Sequence, residues 1–290
     1  MSIDCHPMIC RRLNYSVKVE PPPGWKEIGR RAFSPTASPT APMAVALILI
    51  TAFLAMQASA ADEASSRLAE AQQMANRGES RRAEELATQA LKLDPQLTDA
   101  HYWRGRERFR LGEFDRSVAD FDAVVRQRPA QAPALWERGI ACYYSGQFRK
   151  GAAQFSAYQN VDNSDVENAV WHFLCLSQLE GLPAARRQMM SIGRDARIPM
   201  QTIYELYHGD ATPADVLRSV EQAELTEGQR HAARFYAHLY LGLYFDVASQ
   251  PAEARRHLPA AVKDYRVEHY MWDVARVHAA RWTDKDRRQR

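Results

Sequence analysis

From residue 64 onward the apolar residues recur three or four apart, the spacing that puts them on one face of an α-helix. Tyr102, Gly105 and Phe109 share such a face, and so do Phe114, Ser117 and Phe121. The same sets return 34 residues later as Trp136, Gly139 and Tyr143, and as Phe148, Gly151 and Phe155. Gly78, Gly112 and Gly146 are also 34 apart, and Pro95 and Pro129 repeat the interval. A period of this length predicts stacked helix–turn–helix units, because one such unit cannot bury its apolar face alone. In each unit a small residue in the first helix (Ala71, Gly105, Gly139) lets a second helix approach. A glycine turns the chain, the second helix offers a small residue and then a large one, and Pro95, Pro129 or Asn163 ends the unit.

These residues resemble the tetratricopeptide repeat (TPR). The resemblance implies an all-α, right-handed α-solenoid, with repeats one to four over 61–192. Repeat one covers 64–97, repeat two 98–131 and repeat three 132–165. A fourth opens at Ser164-Asp165-Val166-Glu167, which reads as a capping box, but Phe173 stands where the small residue belongs. The period then breaks over 193–228, where Pro199, Gly209 and Pro213 predict two short helices, about 201–208 and 213–224, the second opened by Thr212. It returns over 229–282, with Leu241-Gly242 at the hallmark pair, Ala254 and Leu258 following, and a last helix at 267–282 that caps the stack. Residues 283–290 are a basic tail. The C-terminal half also looks like bacterial envelope TPR proteins related to the lipoprotein NlpI, although the lipid-attachment cysteine is missing. That relation implies a scaffold that docks peptidoglycan enzymes or proteases.

Residues 1–60 read differently. Residues 1–42 are proline-rich and aperiodic, a composition expected to be disordered. Met43–Leu54 carries no charge and leads into Ala58-Ser59-Ala60, the layout of a secretory signal peptide. Counted over 43–60, the run is alternatively an uncleaved anchor to the inner membrane. Its basic region is poorly placed, so Met8 and Met43 are alternative start sites. Export makes the protein periplasmic or extracellular.

Composition narrows the picture. The chain has 290 residues, 46% hydrophobic and 25% charged, with only 13 glycines, values that favour helix. Its net charge of +3 comes from the leader: six of 38 basic and three of 35 acidic residues lie in 1–60, leaving 32 of each. A balanced chain argues against nucleic acid as the ligand, the Arg-rich helices and tail notwithstanding.

The concave face of a solenoid is lined by first helices. Tyr102, Arg106, Phe109, Arg110, Trp136, Ile140, Tyr143 and Tyr144 fall on that line, with Val170, Leu174, Ser177 and Gln178 continuing it. Aromatic rings and arginines are what binding hot spots favour, so a partner peptide or helix is expected there. TPR domains that grip a chaperone's C-terminal carboxylate use Lys and Asn at positions held here by Leu68, Gln72 and Pro133, which excludes that mode. No catalytic, metal or cofactor motif stands out, so no cofactor is implied. His231 and His238 share a face without a carboxylate at ligand spacing. Cys142 and Cys175 read as small buried residues, or as a pair in an oxidising compartment. The enzyme alternative rests on Asp195, His208, Asp210 and Asp215 in the irregular stretch. The leading expectation is a non-catalytic adaptor.

Overall fold

The computed structural model describes residues 41–288, without the side chains of 41–48, 52–55 and 282–288. Residues 1–40 of the leader and the last two of the basic tail lie outside the described residues. Residues up to Thr51 form a unit of their own, whose described part, 41–51, is helical. Among the described residues no helix is long and apolar enough to cross a membrane, and the 43–60 run falls partly outside the described side chains.

The described elements are all helical and pack in consecutive pairs, which makes the fold an α-solenoid of TPR type. Helix α1 (Ala41–Asn76) pairs with α2 (Ser80–Leu93), and α3 (Thr98–Arg110) with α4 (Phe114–Gln127). A 3₁₀ turn (Pro129–Ala134) precedes α5 (Trp136–Tyr144), which pairs with α6 (Phe148–Tyr158). The turn arises because Pro133 has no N–H to give to a first helical turn. The carbonyls of Ala132 and Pro133 also take hydrogen bonds from Gln154 Nε2.

The three turns are copies of one another. Gly78, Gly112 and Gly146 sit at φ near +78°, where a side chain would be strained. Each carries the same reversed bonds, such as Gly112 N–H to Phe109 and Glu113 N–H to Arg108. The small central residues act as spacers. A Cβ at Gly105 would come within 3.2 Å of the Phe121 ring, and at Gly139 within 2.6 Å of Phe155. In repeat one, Ala71 packs on Leu86 and Ala87 in the same way.

Repeat four departs from this scheme. Helix α7 (Val166–Glu180) is capped by Asp165, whose carboxylate accepts from Glu167 N–H, so the capping box expected at Ser164 does not form. Glu167 cannot reach back because Arg197 and the Tyr240 hydroxyl hold it. Its partner α8 (Leu182–Arg187) is only six residues. Phe173 fills the space a second helix would use and packs instead on Tyr207, at 5.2 Å, of α9 (Met200–His208). Next comes α10 (Pro213–Gln222), opened by a full capping box between Thr212 and Asp215.

Helices α11 (Glu227–Val247) and α12 (Pro251–Lys263) restore the pairing. A Cβ on Gly242 would lie 2.5 Å from Leu258 Cγ. Their turn is a copy of the glycine turns built on Ser249, at φ +57°. The last helix, α13 (Tyr270–Arg288), packs on α12 but also reaches α3, which lies more than 150 residues earlier. It is therefore not the polar-faced cap expected from the sequence. Tyr270, Met271, Val274, Ala275, Val277 and His278 are all buried, on one broad continuous stripe of the helix.

Candidate functional site

The concave face of repeats two and three is built by α3 and α5. On α3, Tyr102, Arg106, Phe109 and Arg110 follow one another at helical spacing, and on α5 so do Trp136, Ile140, Tyr143 and Tyr144. Of these, Arg106, Phe109, Arg110, Trp136 and Tyr144 meet side chains of α13, which lies over them. Phe109 packs on Tyr144 at 5.3 Å and on Tyr270 at 5.6 Å, and Trp136 meets the edge of Tyr270 at 5.5 Å. Phe109 and Ile140 have no exposed surface and belong to the core beneath the groove. Tyr143 is buried between Phe148 and Trp171. Tyr102, Arg106 and Arg110 remain half-buried. Further along, Val170 and Leu174 are core, Ser177 is half-buried and Gln178 is exposed.

Polar contacts fix α13 in this seat. Arg110 Nε donates to Asp273 Oδ2 at 2.8 Å, and Arg276 donates to the Arg110 carbonyl at 3.2 Å. The Arg106 guanidinium lies 4.7 Å from the centre of the Tyr270 ring, a cation–π distance. His278 is 1% exposed, with Nε2 3.2 Å from Asp246 Oδ2 on α11. A proton on Nε2 leaves Nδ1 to accept from the Tyr144 hydroxyl at 2.9 Å. Burial drives the Tyr144 and Tyr270 phenols well above their ordinary range, so both are neutral. Arg281 covers the far side of the Tyr144 ring at 5.2 Å.

One buried charge pair sits at the rim. Tyr102 donates to Glu137 Oε1 at 2.6 Å. Burial raises the Glu137 pKa, against the pull of Arg106. For Arg106 burial works against the charge, but Tyr102 and Glu137 more than restore it. Among the described residues its one hydrogen bond is a long one, 3.5 Å to the Tyr102 hydroxyl.

Residues of the enzyme alternative do not converge. Asp195 is buried against Arg197, which also bridges Asp165 and Glu167. His208 and Asp210 pair on the surface at 2.6 Å, and Asp215 caps α10. Among the described residues no three His, Cys, Asp or Glu side chains are placed to hold a metal. His238 pairs with His257, Nδ1 to Nδ1 at 3.1 Å, whereas His231 turns to the Arg266 carbonyl. Cys142 and Cys175 are free, buried thiols on either side of Gly151. Burial pushes Cys142 up to about 11 and Cys175 higher, which makes both poor nucleophiles.

Sequence reasoning found the floor of this surface and missed its roof. Tyr270, Asp273 and His278 lie three and eight apart, a face legible in the sequence. What the sequence lacked was any sign that the face meets α3 and α5. Residues 68–132, and again 104–165, match the model of a tetratricopeptide repeat family.

Proposed function

We propose that this chain, solenoidal in fold and tetratricopeptide-like over 68–165, is a non-catalytic scaffold that binds another protein through its concave face. The observation that carries this reading is the seated helix itself. The Tyr102/Arg106/Phe109/Arg110 and Trp136/Tyr144 surface accommodates a helix, α13, whose Tyr270 ring meets Phe109 and Trp136 and whose Asp273 meets Arg110. Aromatic rings bury large area at small entropy cost and arginine donates in a fixed fork, which suits such a surface to protein partners. TPR arrays generally serve protein–protein interaction. Asp195, His208 and Asp215 serve separate structural contacts, which supports the non-catalytic reading.

The site of action is the periplasm or the cell exterior, with residues 43–60 acting as a cleaved signal or an anchor. The charge-free run and its small-residue end support this. N-terminal sequencing of the exported protein tests it: a mature chain starting near Ala61 is expected, and one that keeps residues before Met43 contradicts it.

The scaffold role is tested by affinity capture from envelope extracts with the full chain and with Arg106→Glu, read by mass spectrometry. A partner held by the native chain and lost with the variant, at unchanged circular dichroism, is the expected result. An identical set of captured proteins contradicts binding through the concave face.

A further inference from the structure

The helix that occupies the concave face is a mediocre ligand for it. Arg106 places a full charge under α13, yet the helix gives it only the face of Tyr270. Among the described residues no carboxylate hydrogen-bonds to Arg106, whose charge Glu137 offsets only through space, and its Nε is buried without a partner. The Tyr270 hydroxyl is likewise buried and unpaired on a residue only 4% exposed. A buried polar atom without a partner is destabilising. Only Arg110 is matched by an acid of the incoming helix, through Asp273. The ion pair of Arg110 and the rings of Phe109 and Trp136 thus bind a helix well, while Arg106 is left for a better one.

The connection supports reversible seating. Residues 264–269, between α12 and α13, include no helix. Opening α13 there would leave the pairs α3/α4 and α5/α6 intact, since those pack on each other through Gly105/Phe121 and Gly139/Phe155.

Resting on the scaffold reading above, we infer that α13 is an internal competitor, and that the partner is an acidic amphipathic helix displacing it. That helix carries an aromatic residue in the place of Tyr270, a carboxylate three residues on for Arg110, and a second carboxylate that reaches Arg106. The competition sets the affinity: a partner binds in proportion to the fraction of molecules whose α13 is out of the groove.

The test uses a fluorescent synthetic peptide of residues 267–281 as the probe and the full chain as receptor. Tyr270→Ser with Asp273→Lys, made together in the full chain, weakens the internal helix while leaving α3 and α5 unaltered. The peptide is expected to bind this variant about tenfold or more tighter than the native chain, as release of a closed state requires. A peptide carrying Asp273→Lys should lose that gain. Should the variant fold poorly, hydrogen exchange on the native chain reads the same event: saturating peptide should strip protection from the native α13 amides, and retained protection overturns the competition. Equal binding to native chain and variant also overturns it, while leaving a helix-binding scaffold in place. Binding to neither, with folding intact, overturns the scaffold reading itself. If the variant alone becomes a dimer, the outside occupant is a second copy of this chain and the acidic partner is wrong.

Discussion

The run from α2 to α6 and the run from α7 to α13 use the same parts to different ends. Both close helix pairs through a glycine: Gly139 under Phe155 at 2.6 Å, and Gly242 under Leu258 at 2.5 Å. Both turn with the same reversed hydrogen bonds, built on Gly146 in one and Ser249 in the other. The first run then binds neighbour to neighbour. Arg108 bridges Glu84 of the preceding repeat and Asp120 of its own, and Arg138 and Lys150 share Asp122 of the repeat before them. The second run adds bonds at a distance: Arg197 joins Asp165 and Glu167 over about one repeat length, but Tyr240 reaches that same Glu167 from 73 residues on, and Asp273 reaches Arg110 across 163. A solenoid built from nearest-neighbour contacts stays open. The long-range set is what folds this one back onto its own concave face.

The largest effect should come from cutting the long-range hub. Arg197→Met leaves Asp165, Glu167 and Asp195, each only 3–5% exposed, without their cation. Stranding buried carboxylates costs about 3–5 kcal/mol. The corresponding cut in the periodic run, Arg138→Met, leaves the better-exposed Asp122, which Lys150 still holds, and should cost about 1 kcal/mol or less. Urea unfolding compares the two directly, and equal losses would erase the distinction between the runs.

Next come the shared close approaches. Gly139→Ala and Gly242→Ala force a methyl against Phe155 and Leu258, and overpacking of this kind costs about 1–3 kcal/mol. The helix preference of alanine returns up to about 1 kcal/mol at each position. Thermal melting should show similar losses at both, since the contact is the same in the two runs.

A histidine-borne pH dependence belongs to the second run. Burial holds His238 and His257 below the ordinary histidine value, and the charge of His238 pushes His257 down to about 4. The unfolded chain therefore takes up protons first as pH falls. Stability is whole above pH 6.5 and declines between there and about pH 4. Melting temperatures across that window should fall for the native chain and flatten for His238→Gln with His257→Gln. Asp120 behaves otherwise: burial alone would raise it, but hydrogen bonds from His101 and Arg104 hold it down. Its share of stability is present above the ordinary carboxylate value and goes only at more acidic pH.

The smallest effect compares the turns. Ser249 holds a left-handed conformation that costs a non-glycine residue about 1–2 kcal/mol. Ser249→Gly should raise stability by about 1 kcal/mol, and Gly112→Ala should lower it by a similar amount.

The same comparison explains what the sequence could tell. Gly105 with Phe121, Gly139 with Phe155 and Gly242 with Leu258 all lie 16 apart, so the helix pairs and their stacking follow from spacing alone. The groove floor was legible for the same reason, since it is one face of α3 and one of α5. Its occupant was not. Asp273 and Arg110 are 163 residues apart, and no period relates them. A polar-faced cap is expected of the last helix because it follows the final repeat of a solenoid. In the fold, Arg276 donates to the Arg110 carbonyl and Arg281 lies over Tyr144. The Ser249 turn escaped notice because serine carries no signal for a left-handed residue.

Hydrogen exchange of the α13 amides, residues 270–281, tests the closed concave face most directly. If Tyr270, Asp273 and His278 are seated on α3, α5 and α11, those amides exchange as slowly as the core of α11, orders of magnitude below the rate of a free peptide. Exchange of 270–281 at the rate of an isolated helix, with α11 still protected, would contradict it.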